Sequence, residues 1–123
     1  MLAHKHLVVR AEVDKPIVNK NKAIKFLRSL IKKIKMKPMY GPTASYCKMV
    51  GNRGITAFAI IETSHIAMHI WDESSPALVQ LDVYSCSDFD PKTVFEHIEP
   101  MKPAHIDYKF LDREEKFIEV LAN

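Results

Sequence analysis

The sequence predicts an α+β fold, a two-layer sandwich in which a mostly antiparallel sheet carries two helices on one face. Three observations lead there. Six strand-like stretches are separated by short turns. Two further stretches place apolar residues at helical spacing. Four of the strand-like stretches follow one another with no helix between them, the pattern of a meander. The 123 residues, 47% hydrophobic and 27% charged, fit one ordinary domain, long enough to bury roughly two-thirds of the unfolded surface. Residues 1–123 are therefore read as a single unit without repeat, linker or low-complexity segment.

The first strand runs from His4 to Val13, and Pro16 stops it. Asn19 is a plausible N-cap. After it, Ala23, Ile24, Phe26, Leu27, Leu30, Ile31 and Ile34 form an apolar stripe, and the helix breaks before Pro38. Ser45 to Val50, Ile55 to Glu62, His65 to Trp71 and Leu78 to Tyr84 read as the four meander strands, joined at Gly, Asn, Asp and Pro positions. Asp90-Pro91 supplies a cap followed by proline at the first helical position. It opens a short helix through Val94, Phe95 and Ile98. Ala104 to Leu111 closes as the last strand.

The net charge of +3 conceals an asymmetry. Residues 1–63 carry 13 Lys and Arg against 3 Asp and Glu, whereas residues 64–123 carry 5 against 12. Eight of the basic residues, Lys20, Lys22, Lys25, Arg28, Lys32, Lys33, Lys35 and Lys37, come with no acid among them. Such a face suits nucleic acid through counterion release, although a solvated helix face is the commoner fate of such a run. No stretch of about 18 apolar residues exists, and the opening MLAHKHLVVRAEV lacks the order of a signal peptide. These features predict a cytoplasmic protein, away from membranes, with Cys47 and Cys86 reduced.

Familiar chemistries fall away for want of residues. Three glycines, Gly41, Gly51 and Gly54, make neither a P-loop nor a dinucleotide fingerprint. His65 and His69 have the spacing of a zinc pair on a helix, but their neighbours favour a strand, where residues four apart lie about 13 Å from each other. No metal site is expected. What stands out is TSHIAMHIWDE, residues 63–73, followed by LDVYSC, residues 81–86. Ser64, His65, His69, Trp71, Glu73 and Cys86 gather on two neighbouring central strands, where a purely structural sequence would place aliphatics. Each has a plain structural explanation alone. Together, a hydroxyl, two imidazoles and a thiol are the parts of a nucleophilic or acid–base site.

With DPKTVFEHI (residues 90–98) after them and HKHLVV (residues 4–9) before, these segments resemble the prokaryotic-type S-adenosylmethionine decarboxylase family. Its members are small self-processing, pyruvoyl-dependent enzymes of spermidine synthesis. The likeness spans roughly residues 4–110. It implies that Ser64 becomes the pyruvoyl group when the Thr63–Ser64 bond breaks, leaving chains 1–63 and 64–123. It further implies that His69 is the processing histidine, that Thr56 stands in for a processing serine, and that Cys86 returns a proton to the substrate α-carbon. By the same likeness Trp71 and Glu73 hold adenine and ribose, with His65 and Met49 grouped beside them as substrate-binding. The pyruvoyl ketone derived from Ser64 would form a Schiff base with the substrate amine and act as an electron sink, so no external cofactor is implied. The resemblance also implies a homodimer that completes each active site from both protomers.

Three positions depart from the family pattern. Thr63 replaces a glutamate before the nucleophile. Met49 or Val50 stands where an aromatic residue flanks adenine, and Asp72 replaces a proline, with two extra residues at Ser74-Ser75-Pro76. The reading that leads is decarboxylation of S-adenosylmethionine for polyamine synthesis. A pyruvoyl-dependent arginine or ornithine decarboxylase stays open beside it, as does an uncleaved, non-catalytic relative acting through a partner subunit. Nucleic-acid binding through Lys20–Lys37 is the least favoured.

Overall fold

A computed structural model describes residues 3–121. The outer ends of the expected 1–123 unit, and the first two residues of its opening segment, lie outside them. Strands β1 (Lys5–Val13), β2 (Pro38–Cys47), β3 (Gly54–Ile61), β4 (Ser64–Trp71), β5 (Ala77–Ser85), β6 (Pro103–Asp112) and β7 (Ile118–Glu119) build one sheet. Helices α1 (Lys20–Lys33) and α2 (Pro91–Ile98) accompany it, with a 3₁₀ turn at Glu99–Met101. Strand order is β2-β3-β4-β5-β1-β6-β7, and every neighbouring pair is antiparallel. The meander forms as the sequence predicts, and the first strand then inserts between β5 and β6.

Alternation along the strands decides the two faces. Leu7, Val9, Ala11 and Val13 of β1, Ile66, Met68 and Ile70 of β4, and Val79, Leu81 and Val83 of β5 are all buried. They share one apolar core with Leu27, Leu30 and Ile31 of α1 and Val94 and Ile98 of α2. Complete burial of one such aliphatic side chain contributes roughly 1.5–3 kcal/mol. Asn19 caps α1 by accepting from the Lys22 amide at 3.1 Å, and Asp90 caps α2 by accepting from Lys92 at 3.0 Å, as the sequence predicts. The other residues of the strands form an open face, where Tyr40, Phe58 and Ile60 remain 59, 41 and 43% exposed.

Two boundaries differ from expectation. The strand expected at Ser45–Val50 begins at Pro38 and stops at Cys47, and residues 49–52 form a turn closed by the Asn52 amide donating to the Met49 carbonyl at 2.9 Å. Prolines and Gly41 hid its first half. β2 lies at the sheet edge, where a missing N–H is tolerated, and its pairing with β3 shifts register between Pro38 and Tyr40 and again between Tyr40 and Thr43. The two-residue β7 is too short to leave a periodic signal.

Candidate functional site

The singled-out residues assemble at the two ends of β4. At its start, the two-residue link between β3 and β4 holds Thr63, whose carbonyl accepts the Cys86 backbone N–H at 2.7 Å. Ser64 follows with φ 138°, a value that L residues rarely adopt and that costs about 1–3 kcal/mol. Ser64 pairs with the buried Ser85 of β5, so Cys86, the next residue along, sits beside the Thr63–Ser64 bond. The Thr63 hydroxyl is occupied elsewhere, donating to Met36 Sδ at 3.1 Å. Both cysteines are free thiols, and both are half-buried.

At the other end, on the open face, Thr56 of β3 lies opposite His69 of β4, with Thr56 Oγ1 3.0 Å from His69 Nδ1. His69 stacks on Trp71 with ring centroids 5.8 Å apart. A cleft of about 270 Å³ opens here, lined by Thr56, His69, Trp71, Asn52 and Cys47 among others.

The β2–β3 turn is fastened over this end by its neighbours. Trp71 Nε1 donates to Asn52 Oδ1 at 2.8 Å, and the Glu73 carboxylate accepts the backbone N–H groups of Gly51 at 3.1 Å and Arg53 at 3.0 Å. The Arg53 and Gly51 amides, in that order, pull the Glu73 carboxyl below its ordinary range, because donors aimed at the oxygens favour the ionised form. Asp72 accepts from the Tyr46 hydroxyl at 2.7 Å, and that bond raises the Tyr46 phenol above its usual value.

The structure thus brings together Thr56, His69, Trp71 and Glu73, and separately Thr63, Ser64 and Cys86. It does not bring Ser64 to His69. Five residues of extended chain separate them, about 16 Å along the strand. Met49 sits at the tip of the turn, 67% exposed and outside the cleft lining. His65 lies on the open face beside Tyr84 at 5.6 Å between ring centroids. Next to it Asp82 bonds the His6 ring, whose other nitrogen lies 3.0 Å from Arg113 Nη1. Burial opposes ionisation of Asp82, but the His6 hydrogen bond and nearby positive charge outweigh it and hold the carboxyl low.

Sequence reasoning missed Asn52 and Tyr46. Asn52 carried only the signal of a turn residue, and its bond to Trp71 depends on how far the hairpin folds back.

Comparison with known proteins gives three findings. A family model described as S-adenosylmethionine decarboxylase matches residues 5–114. The S-adenosylmethionine decarboxylase proenzyme of Pyrobaculum islandicum is 45% identical over 64 residues, 50% of this chain and 50% of that protein. The proenzyme of Pyrobaculum neutrophilum is 44% identical over 62 residues, 49% of this chain and 48% of that protein. The chain thus spans about half the length of the curated relatives it matches. The crystal structure of an adenosylmethionine decarboxylase from Aquifex aeolicus superposes with a TM-score of 0.67 at 23% identity, covering 99% of this chain and 98% of that one. That likeness establishes the fold.

Proposed function

The chain belongs to the S-adenosylmethionine decarboxylase family, and from that premise we propose that it cuts itself between Thr63 and Ser64 and then decarboxylates S-adenosylmethionine for polyamine synthesis. The observation that carries this reading is the Thr63–Ser64 link itself, a strained residue after a carbonyl already held by a backbone donor. Ser64 Oγ attacks the Thr63 carbonyl carbon. The Cys86 N–H steadies the charge that develops on the carbonyl oxygen, and the C–N bond breaks to leave an ester and a free amine. Loss of the Ser64 α-proton then expels residues 1–63 as a carboxylate, and water replaces the resulting imine with a ketone and releases ammonia. The strain at Ser64 and the neighbouring Cys86 thiol fit a pyruvoyl group at this position.

That ketone, once formed, supplies an electron sink for the carbanion left by departing carbon dioxide. The protein's residues do the rest. Cys86 returns a proton to the substrate α-carbon, Trp71 offers its indole face to adenine, and Glu73 holds the turn that borders the cleft. We place the enzyme in the cytoplasm, where the Cys86 thiol stays reduced. Among the described residues no helix is long and apolar enough to cross a membrane.

The separation of Ser64 from His69 supports a homodimer in which His69 and Thr56 of one copy serve Ser64 and Cys86 of the other. The open sheet face, with Tyr40, Phe58 and Ile60 exposed, offers the surface for it. Mixing two inactive chains tests cleavage and dimer together. Neither Ser64→Ala nor His69→Ala should process alone. Co-expressed, they should form mixed dimers in which only the His69→Ala chain is cut, because it alone retains Ser64 and its partner supplies His69. Wild-type protein of intact mass after prolonged incubation would instead support the uncleaved relative. Preferential release of carbon dioxide from arginine or ornithine would redirect the substrate while keeping the chemistry.

A further inference from the structure

On the helix layer, across the sheet from His69 and Trp71, a cleft of about 570 Å³ runs between α1, α2 and the connector before α1. Lys15, Lys22, Lys25 and Lys33 line it, and among the described residues none of them forms an ion pair. Glu96 is the one carboxylate on its wall. The first turn of α1 carries no acid and instead presents Lys20 and Lys22. This adds positive charge where the helix dipole is already positive, contrary to the usual preference. The cleft therefore concentrates positive charge, with Glu96 alone opposing four lysines.

Its floor is not polar. Phe26 packs against His97 with centroids 4.4 Å apart and the rings tilted by 43°, and Ile17 and Met101 extend the apolar surface. His97 Nε2–H donates to the Phe26 carbonyl at 2.8 Å while Nδ1 lies 3.1 Å from Lys33 Nζ. The two contacts tie the ring to α1 through both the Phe26 carbonyl and Lys33. Burial first, and Lys33 as well, push the His97 imidazole below its ordinary pKa. Lys22 and Lys33 are eleven residues apart on one helix, about 16 Å of rise. A single phosphate meets only part of that length, whereas a phosphate chain with a flat apolar group attached extends along the cleft and meets both its lysines and its apolar floor.

We propose that this cleft binds a nucleoside polyphosphate, with the phosphates along the lysines and the base against Phe26 and His97. The site is separate from the decarboxylation centre and stands independently of it. Full-length protein titrated with ATP and with inorganic tripolyphosphate, followed by backbone amide shifts, tests it. Saturable shifts at residues 15–33 and 96–101 are expected from both probes, tighter for ATP and weaker for both as salt rises. Lys22→Glu with Lys25→Glu should weaken binding about tenfold or more, while the charge-matched pair Lys92→Glu with Lys116→Glu leaves it unchanged. Equal loss in both pairs, ATP shifts confined to the Trp71 cleft, or binding of a single-stranded RNA without tripolyphosphate binding would each overturn the proposal. So would an absence of saturable binding at low salt.

Discussion

Asn52 shows how one side chain can set the geometry of a site without touching the bond proposed to break. Its Oδ1 accepts the indole N–H of Trp71, and that tryptophan is the single one in the chain. Neighbouring Gly51 and Arg53 are tied to Glu73, so the turn and the indole are fixed as a unit. An ordinary hydrogen bond is worth about 1 kcal/mol net, which predicts, for the decarboxylation proposed above, that Asn52→Ala raises KM for S-adenosylmethionine about fivefold with kcat nearly unchanged. Steady-state kinetics would show it, and an equal fall in kcat would place Asn52 in the chemical step instead. The exposed Met49 contrasts with it. Its side chain lies clear of the cleft lining, and the resemblance alone left the position open between Met49 and Val50.

At the level of elements, Gly54 and His97 carry the sharpest consequences. Gly54 opens β3 with φ 148°, and a Cβ there would meet the Ile70 carbonyl oxygen at 1.7 Å, against backbone that has no room to yield. Gly54→Ala should destabilise by about 3 kcal/mol in urea unfolding, and Gly51→Ala, whose Cβ meets nothing within 4 Å, by about 1 kcal/mol from backbone strain alone. His97 joins α2 to α1. Its folded pKa lies below the ordinary 6.5, so between those two values the unfolded chain binds more protons and stability rises with pH. The contribution is lost as pH falls through the folded value. Urea midpoints measured across this window should slope upward for the wild type and flatten in His97→Gln. Most elements were legible because their signals are local: caps at Asn19 and Asp90, and alternation through Ile66, Met68 and Ile70. The first half of β2 was not, since Pro38, Gly41 and Pro42 mimic a loop when edge position is unknown. The site's residue types were legible in TSHIAMHIWDE, but their division between the two ends of β4 was visible only once the strand was fixed.

For the molecule as a whole, the proposed cut at Thr63–Ser64 leaves pieces that are interleaved rather than side by side. The 1–63 piece holds β1, α1, β2 and β3, yet β1 lies between β5 and β6 of the other piece, and β3 pairs with β4. Three strand boundaries therefore cross between the pieces, with the apolar core shared across them. The pieces should co-purify even in strong salt, because hydrogen-bonded ladders and buried side chains, more than opposite net charge, hold them. Size-exclusion chromatography under high salt would reveal any separation. The order of strands also gives the protein a history. Before cleavage, a denatured molecule can refold alone; afterwards the same sheet must be found by two solutes, and recovery depends on concentration. Dilution into buffer from urea should restore Ser64→Ala protein at any concentration but return processed enzyme only when the pieces are abundant. Cleavage as proposed would thereby turn folding from a property of one chain into a meeting of two.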